Sequence, residues 1–300
     1  MATYFVTGAS GYIGGSVAAE LVRAGDVVRG LVRNPQTAKR LHDRGITPVL
    51  GSLDDKALLI SEARLSDGVI NCASADDGEA VLALIDGLEG TNKPLVHTSG
   101  SSVIADDARG NLKSDKIFDE DTPLLVHPMK QARHDIDLNM MSAAQRGIRS
   151  AVICPSLIYG VGRGLNQSSV QIPFLVEQAR RLGRVPIVGA GLNVWSNVHI
   201  DDVVDLYVLA LRKSSAGAFY FAENGEASFL ELGQTLAARL QLPGIVSVAA
   251  EDAAKQWGAA RAYFSLGGNS RVRATRARRE LGWMPQHRSA LEWIKTEMMI

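Results

Sequence analysis

The chain has 300 residues, 46% of them hydrophobic, enough for one large domain or two smaller ones around a sizeable core. Lys plus Arg and Asp plus Glu number 32 each, a formal net charge of zero, which argues against a nucleic-acid binder that depends on surplus cations. The apolar runs are too short to span a bilayer, and MATYFVTGAS shows neither a basic n-region nor a long apolar h-region, so a cytoplasmic protein without membrane or nucleic-acid partners is expected.

In chain order, TYFVTG, DVVRGLVR, TPVLG, DGVINCAS, PLVHTSG and RSAVICP read as short β-strands. Segments with helical spacing separate them. In IGGSVAAELVRAG, Ile13, Val17 and Leu21 recur every four residues and Gly25 is placed to end the helix. Near-continuous apolar strands alternating with helices predict an α/β chain, its parallel sheet covered on both faces, from residue 2 to about 160. Cys72 and Cys154 fall inside these strand-like runs and read as free buried thiols of a reducing compartment. Residues 161–193, rich in glycine, suit loops around a ligand. WSNVHIDDVVDLYVLALRK reads as a strand running into an amphipathic helix with Asp202 as N-cap. Residues 213–300 mix short helices and loops. The arginines from Arg271 to Arg279 read as a solvated helix face or an anion-binding wall. Trp195, Trp257, Tyr263 and Phe264 read as core or as the lining of an apolar pocket.

TGASGYIGG follows the first strand and opens the first helix. Gly8 permits the tight turn, Gly11 lets a pyrophosphate approach the backbone, and Gly14 lets the helix lie close to the strand. The helix N-terminus then offers free N–H groups and the positive end of its dipole to phosphates. With the strand before and the helix after, this spacing points to a dinucleotide. The second strand ends in Arg33, where an NAD site would place a carboxylate on the ribose hydroxyls. A guanidinium suits a 2′-phosphate instead, so NADP is the expected cofactor and NAD the less favoured one. Lys39 and Arg40 could assist or form a solvated helix face. No metal is expected.

These residues together resemble the short-chain dehydrogenase/reductase superfamily, in its extended, NAD(P)-dependent epimerase/dehydratase-like branch. Thr7 to Gly14, with Ser10, Tyr12 and Ile13, resembles that branch's glycine loop. Ser52-Leu53 stands where an Asp-Leu pair would lie by the adenine. Cys72, Ala73 and Ser74 resemble the fourth-strand segment that lines the cofactor, and Thr98 opens HTSGSSV, which resembles the serine-bearing strand. Pro155, Ser156, Leu157 and Ile158 resemble the segment beside the nicotinamide. SNVHIDDV (196–203) and RRELGWMP (278–285) resemble later substrate-region motifs. The resemblance implies a Rossmann-type doubly wound parallel sheet with helices on both faces and a smaller C-terminal substrate-binding region. The implied division is a dinucleotide-binding domain over 1–160, with parts of 190–225 returning to it, and a mainly substrate-binding region over 161–300.

The departures fall on the chemistry. The superfamily uses a tyrosine and a lysine, spaced YxxxK, with a serine or threonine. LLVHPMKQARHDID (124–137) has no tyrosine, and none occurs between Tyr12 and Tyr159. If Asp135 fills the acidic place after the lysine, Gln131 stands for the lysine and His127 for the tyrosine. Gly100 occupies the serine place, with Ser99, Ser101 and Ser102 beside it. Asp76, or the adjacent Asp77, fits the place of the usual asparagine. His127 could supply a proton, since imidazole titrates near neutrality, or could simply start the helix. Lys130, Gln131 and His134 would share its face if the helix begins that early, and Lys130 could reach the ribose. His199 more naturally orders the strand-to-helix turn, with Asp201 and Asp202 as capping residues.

The expected function is an NADP(H)-dependent oxidoreductase reducing a small carbonyl-type substrate. The alternatives are an NADP-binding redox sensor without turnover, like the NmrA-like relatives, or an epimerase or dehydratase. A homodimer built on helices at about 78–90 and 128–146 follows from the habit of related proteins.

Overall fold

The computed structural model describes residues 1–299. The apolar runs of the first half form strands alternating with helices: β1 (Thr3–Thr7), α1 (Tyr12–Arg23), β2 (Val27–Val32), α2 (Pro35–His42), β3 (Ile46–Leu50), α3 (Lys56–Leu65), β4 (Gly68–Asn71), α4 (Gly78–Leu88), β5 (Pro94–Thr98), α5 (Gln131–Ser142) and β6 (Arg149–Pro155). The second half adds β7 (Leu157–Tyr159), α6 (Gln171–Leu182), β8 (Val185–Val188), β9 (Val194–His199), α7 (Ile200–Lys213), β10 (Ala218–Ala222), β11 (Glu226–Ser228), α8 (Phe229–Arg239), β12 (Ile245–Val248), α9 (Ala250–Trp257), α10 (Thr275–Leu281) and α11 (Ala290–Thr296).

The main sheet has seven strands in the order β10-β6-β5-β4-β1-β2-β3, and every neighbouring pair is parallel. This is a doubly wound Rossmann-type sheet, with AFYFA of β10 returning to extend it beyond β6. The burial of each strand matches its position. Interior β4 and β5 are buried along their whole length, because helices cover both faces. Edge strand β3 is only partly buried, with Ile46 and Val49 inside and Thr47 and Leu50 exposed. Side chains start several of the covering helices: Asn34 caps α2, Asp55 caps α3 and Asp77 caps α4, each accepting a backbone N–H one turn ahead. β1 lies between β2 and β4, so the crevice beyond the carboxyl ends of β1 and β4 is the topological switch point, where open α/β sheets bind ligands.

The remaining strands form two small sheets, β11-β9-β7 and β12-β8. They enclose a second apolar core around Leu157, Tyr159, Trp195, Phe229 and Trp257. Residues 161–193 are therefore not loop throughout. Only 161–170, 183–184 and 189–193 lack regular structure, because the apolar residues Ile172, Leu175 and Ala179 recur at helical spacing and bury α6 against this core.

Two further expectations are corrected. Asp202 does not cap α7. His199 does, its Nδ1 accepting from the Asp201 backbone N–H at 3.2 Å. The Asp202 carboxylate points the other way and accepts from the backbone N–H groups of Gln286 and His287 at 2.8 and 3.0 Å, while Trp283 Nε1 donates to the Asp202 carbonyl at 2.9 Å. The arginine cluster is not a free solvated face either. Arg271 pairs with Glu226, Arg276 with Asp121 and Arg278 with Glu223, carboxylates supplied by the loop before α5 and by the chain after β10. Both cysteines are unpaired. Among the described residues, no helix is long and apolar enough to cross a membrane.

Asp202→Ala leaves the part-buried backbone N–H groups of Gln286 and His287 without their acceptor. It is expected to cost roughly 2–4 kcal/mol, read as a lower midpoint in chemical denaturation with an unchanged slope.

Candidate functional site

The loop between β1 and α1 is built on very small clearances. Gly8 has φ +70°, a left-handed conformation that glycine adopts without penalty. A Cβ there would stand 2.7 Å from the Cys72 carbonyl carbon, and one on Gly14 would stand 2.5 Å from the Gly8 oxygen. Gly11 N–H donates to the Gly8 carbonyl at 2.8 Å and precedes α1 with no side-chain cap, so the first N–H groups of the helix remain available to a ligand. In front of them lies a cavity of about 450 Å³, whose walls include Gly8, Ser10, Gly11, Arg33, Ser52 and Leu53. Ala73 and Asp77 line it too. These features fit the adenosine and pyrophosphate of a dinucleotide.

A second cavity, about 530 Å³, continues from the first, and Cys72 lines both. Tyr12, Ile13, Pro155, Ser156 and Ile158 form part of its wall, and Tyr12 Oη donates to the Gly160 carbonyl at 2.8 Å. The segment 166–171 and Trp195 close the other side. Ser99, Gly100, Ser101 and Ser102 line it from the loop after β5. Ser101 is held from behind by Ser270, whose Oγ lies 2.8 Å from Ser101 Oγ.

Arg133 reaches this cavity from α5. Its Nε and Nη2 donate to the two Asp76 oxygens at 2.7 and 2.6 Å, and Nη1 donates to Ser102 Oγ at 3.1 Å. The bidentate guanidinium holds the Asp76 carboxyl below the usual aspartate range. A Cβ on Gly100 would come within 3.4 Å of Nη1, so the glycine leaves room for this arginine. One turn further along α5, the buried Asp137 accepts from Ser99 Oγ at 2.7 Å. Burial pushes its carboxyl up to about 7.

Other residues named from the sequence lie elsewhere. His127 caps a short 3-10 turn, Pro128–Lys130; its Nδ1 accepts from the Met129 N–H at 3.2 Å, and its ring packs on Phe264 with centroids 4.9 Å apart. Lys130 sits over the same Phe264 ring, outside both cavity walls but near enough to Arg133 and Asp76 to feel their charges, and burial first and then Arg133 lower its pKa. Gln131 donates to Asp135 at 2.8 Å on the exposed side of α5. The 3-10 turn breaks the helical phase before Gln131, so His127 does not share the cleft face. Thr98 turns inward, its Oγ1 2.6 Å from Tyr207 Oη. Leu157 packs into the second core, and Ser74 Oγ accepts from the Asp76 N–H. Arg133 and Asp137 were not singled out from the sequence, although their i, i+4 spacing reproduces that of YxxxK with different side chains.

Two other groupings lie outside the crevice. His199, Asp201 and His287 bring potential ligand atoms together, but the imidazoles stack with centroids 3.9 Å apart. Their Nδ1 atoms already meet the Asp201 N–H and the Asp202 carboxylate. An open cavity of about 820 Å³ is lined by Glu223, Glu226, Arg273 and Arg278, charges that already pair with one another.

Residues 4–220 match the NAD dependent epimerase/dehydratase family. An oxidase from Acremonium sp is 33% identical, over 94% of this chain and 92% of its own. The 4-hydroxy-2-methyl-3-oxo-4-farnesyl-3,4-dihydroquinoline-1-oxide ketoreductase of Stigmatella aurantiaca is 28% identical, over 80% of this chain and 73% of its own. Among solved structures, dTDP-glucose 4,6-dehydratase from Bacillus anthracis in complex with NAD superposes with a TM-score of 0.77 at 19% identity, over 99% of this chain and 97% of that one.

Gly8→Ala places a methyl group against the β4 backbone and forces a left-handed residue. It is expected to weaken dinucleotide binding more than tenfold, measured by fluorescence titration, and to lower the melting temperature in the same preparation.

Proposed function

The chain belongs to the NAD dependent epimerase/dehydratase family, and from that premise we propose that it is an NADP(H)-dependent oxidoreductase that reduces a small carbonyl compound. The observation that carries this reading is the second cavity, in which Ser99, Ser101, Ser102 and Arg133 line a space next to the dinucleotide crevice. The oxidase and ketoreductase relatives favour redox chemistry. A sensor would need only the first crevice.

When bound, the reduced nicotinamide supplies a hydride. The chain's own residues bind, orient and exclude water. Gly8, Ser10, Gly11 and the start of α1 would hold the pyrophosphate. Leu53 and Ala73 would flank the adenosine, and Arg33, exposed at the mouth of the same cavity, would meet the 2′-phosphate. Pro155, Ser156 and Ile158 would back the nicotinamide. Arg133 would orient the substrate oxygen, its planar guanidinium fixed by Asp76. The segment 166–171 and Trp195 would keep water out. His127 and Lys130 have no part in this reading.

Two other readings draw on specific observations. Arg133 and Asp137 replace a tyrosine–lysine pair, which favours a cofactor-binding sensor without turnover, NmrA-like. The shared fold favours an epimerase or dehydratase. We also read the protein as cytoplasmic, on its unpaired cysteines, and as a homodimer through α4 and α5, where Leu82 and Leu138 are exposed.

Titration with NADPH and NADH, then NADPH oxidation against aldehydes, ketones and imines, tests the main reading. NADPH is expected to bind more tightly, and Arg33→Ala to weaken it by about 10–100-fold with NADH unchanged. Equal weakening of both would remove Arg33 from the 2′-phosphate, and tight binding with no turnover across the panel would favour the sensor. Light scattering at micromolar concentration is expected to give twice the 32.1 kDa chain mass; the single-chain mass would rule out the dimer.

A further inference from the structure

Asp137 follows Arg133 by one helical turn, so both side chains leave the same face of α5. Its carboxyl is 1% exposed. Oδ2 accepts from Ser99 Oγ at 2.7 Å, whereas Oδ1 is buried with no partner. A buried carboxylate with one oxygen unsatisfied is costly to ionise, and holding a proton relieves that cost. The charged and titratable neighbours do not reverse this. Arg133 lies on the same helix, but Asp76 neutralises it. Cys154 of β6 is a buried thiol whose own pKa burial pushes up. His97 of β5 is held neutral, its pKa lowered to about 4 by burial. The face of α4 that is buried near α5 is apolar, with Ala80, Val81 and Leu84. Desolvation outweighs the fields of Arg133 and Ser99, which act in the opposite sense. Ser99, on the far side of the 2.7 Å bond, lines the second cavity.

Resting on the reductase reading above, we propose that Asp137 and Ser99 form a proton relay to the substrate oxygen and take over the task of the missing tyrosine. In reduction, the carbonyl carbon takes up the hydride and the C=O π pair moves to the oxygen. That oxygen accepts the proton of Ser99 Oγ. Ser99 Oγ is reprotonated by the Asp137 carboxyl, which is left as the carboxylate and recovers its proton from solvent before the next turnover. In oxidation each transfer runs backwards, and Asp137 ends as the base. Asp137 touches no substrate and acts only through Ser99.

Stability provides a test that needs no turnover. The folded-state pKa of Asp137, about 7, lies above the 3.8 of an ordinary aspartate. The native state therefore holds more protons than the unfolded chain between those values, and it loses stability as pH rises through that window. Asp137→Asn removes the loss, so its melting temperature should gain on the wild type from pH 5 to pH 8. The same variant should bind NADPH within about twofold of wild type. It should lose about 100-fold in kcat, the low end of a general-acid contribution, and the inflection near pH 7 in the wild-type kcat profile should vanish. Ser99→Ala should lower kcat similarly while its melting temperature still falls relative to that of Asp137→Asn as pH rises, because Asp137 remains. A melting-temperature gap between Asp137→Asn and wild type that does not change with pH overturns the relay. So does turnover with an intact inflection in Asp137→Asn, and either result leaves the reductase reading standing. A wild type that binds NADPH and shows the pH-dependent gap, yet reduces no carbonyl compound, overturns the reductase reading and the relay together.

Discussion

The close approach of the β1–α1 loop to the end of β4 is the constraint on which the rest of the site depends. Gly8 lies against the Cys72 backbone and Gly14 against the Gly8 oxygen, with no space for a Cβ at either place. That contact sets α1 at its angle to the sheet, aims the helix N-terminus at the crevice and makes Cys72 the common edge of both cavities. A side chain at either glycine would push α1 away from β4, and the two cavities would lose their shared wall.

Around this crevice the charges are arranged unusually. Arg133 and Asp137 are one turn apart on α5, yet they do not pair with each other as their strongest contacts. Arg133 turns outward to Asp76 and Ser102, while Asp137 turns inward to Ser99. The outward pair is half exposed and ionised. The inward carboxyl is desolvated and sits near neutrality. Two carboxylates close to one cavity are thus pushed apart, Asp76 held low by its bond to Arg133 and Asp137 held high by burial.

The second core is held to the main sheet largely through polar anchors. Asp202, at the start of α7, collects the backbone N–H groups of Gln286 and His287. Glu223 and Glu226 collect the arginines before and within α10. Asn193 Nδ2 donates to the Leu266 and Gly268 carbonyls, and Trp195 Nε1 also reaches Gly268. These bonds hold Trp195 in the wall of the second cavity, so distant parts of the chain decide its shape.

The parallel sheet up to β6 and the glycine loop after its first strand were legible in local features of the sequence, whereas the order of the strands was not. Apolar runs that need cover on both faces can only become interior strands, and TGASGYIG between a strand and a helix leaves little choice of geometry. The return of AFYFA to the sheet edge was not legible: residues 213–300 read as short helices and loops, yet β10, β11 and β12 form there because they pair with distant strands. Only the tertiary structure decided which residues of α5 turn toward the second cavity: Arg133 reaches it and Asp137 bonds to Ser99 in its wall, where counting back from Asp135 selects Gln131 and His127. It also decided that Asp202 anchors the C-terminal segment rather than capping a helix, and that the arginines after Ser270 are paired. Each of these depends on partners 30 to more than 80 residues away, and a linear pattern carries no record of which distant carboxylate or hydroxyl will lie opposite a given side chain.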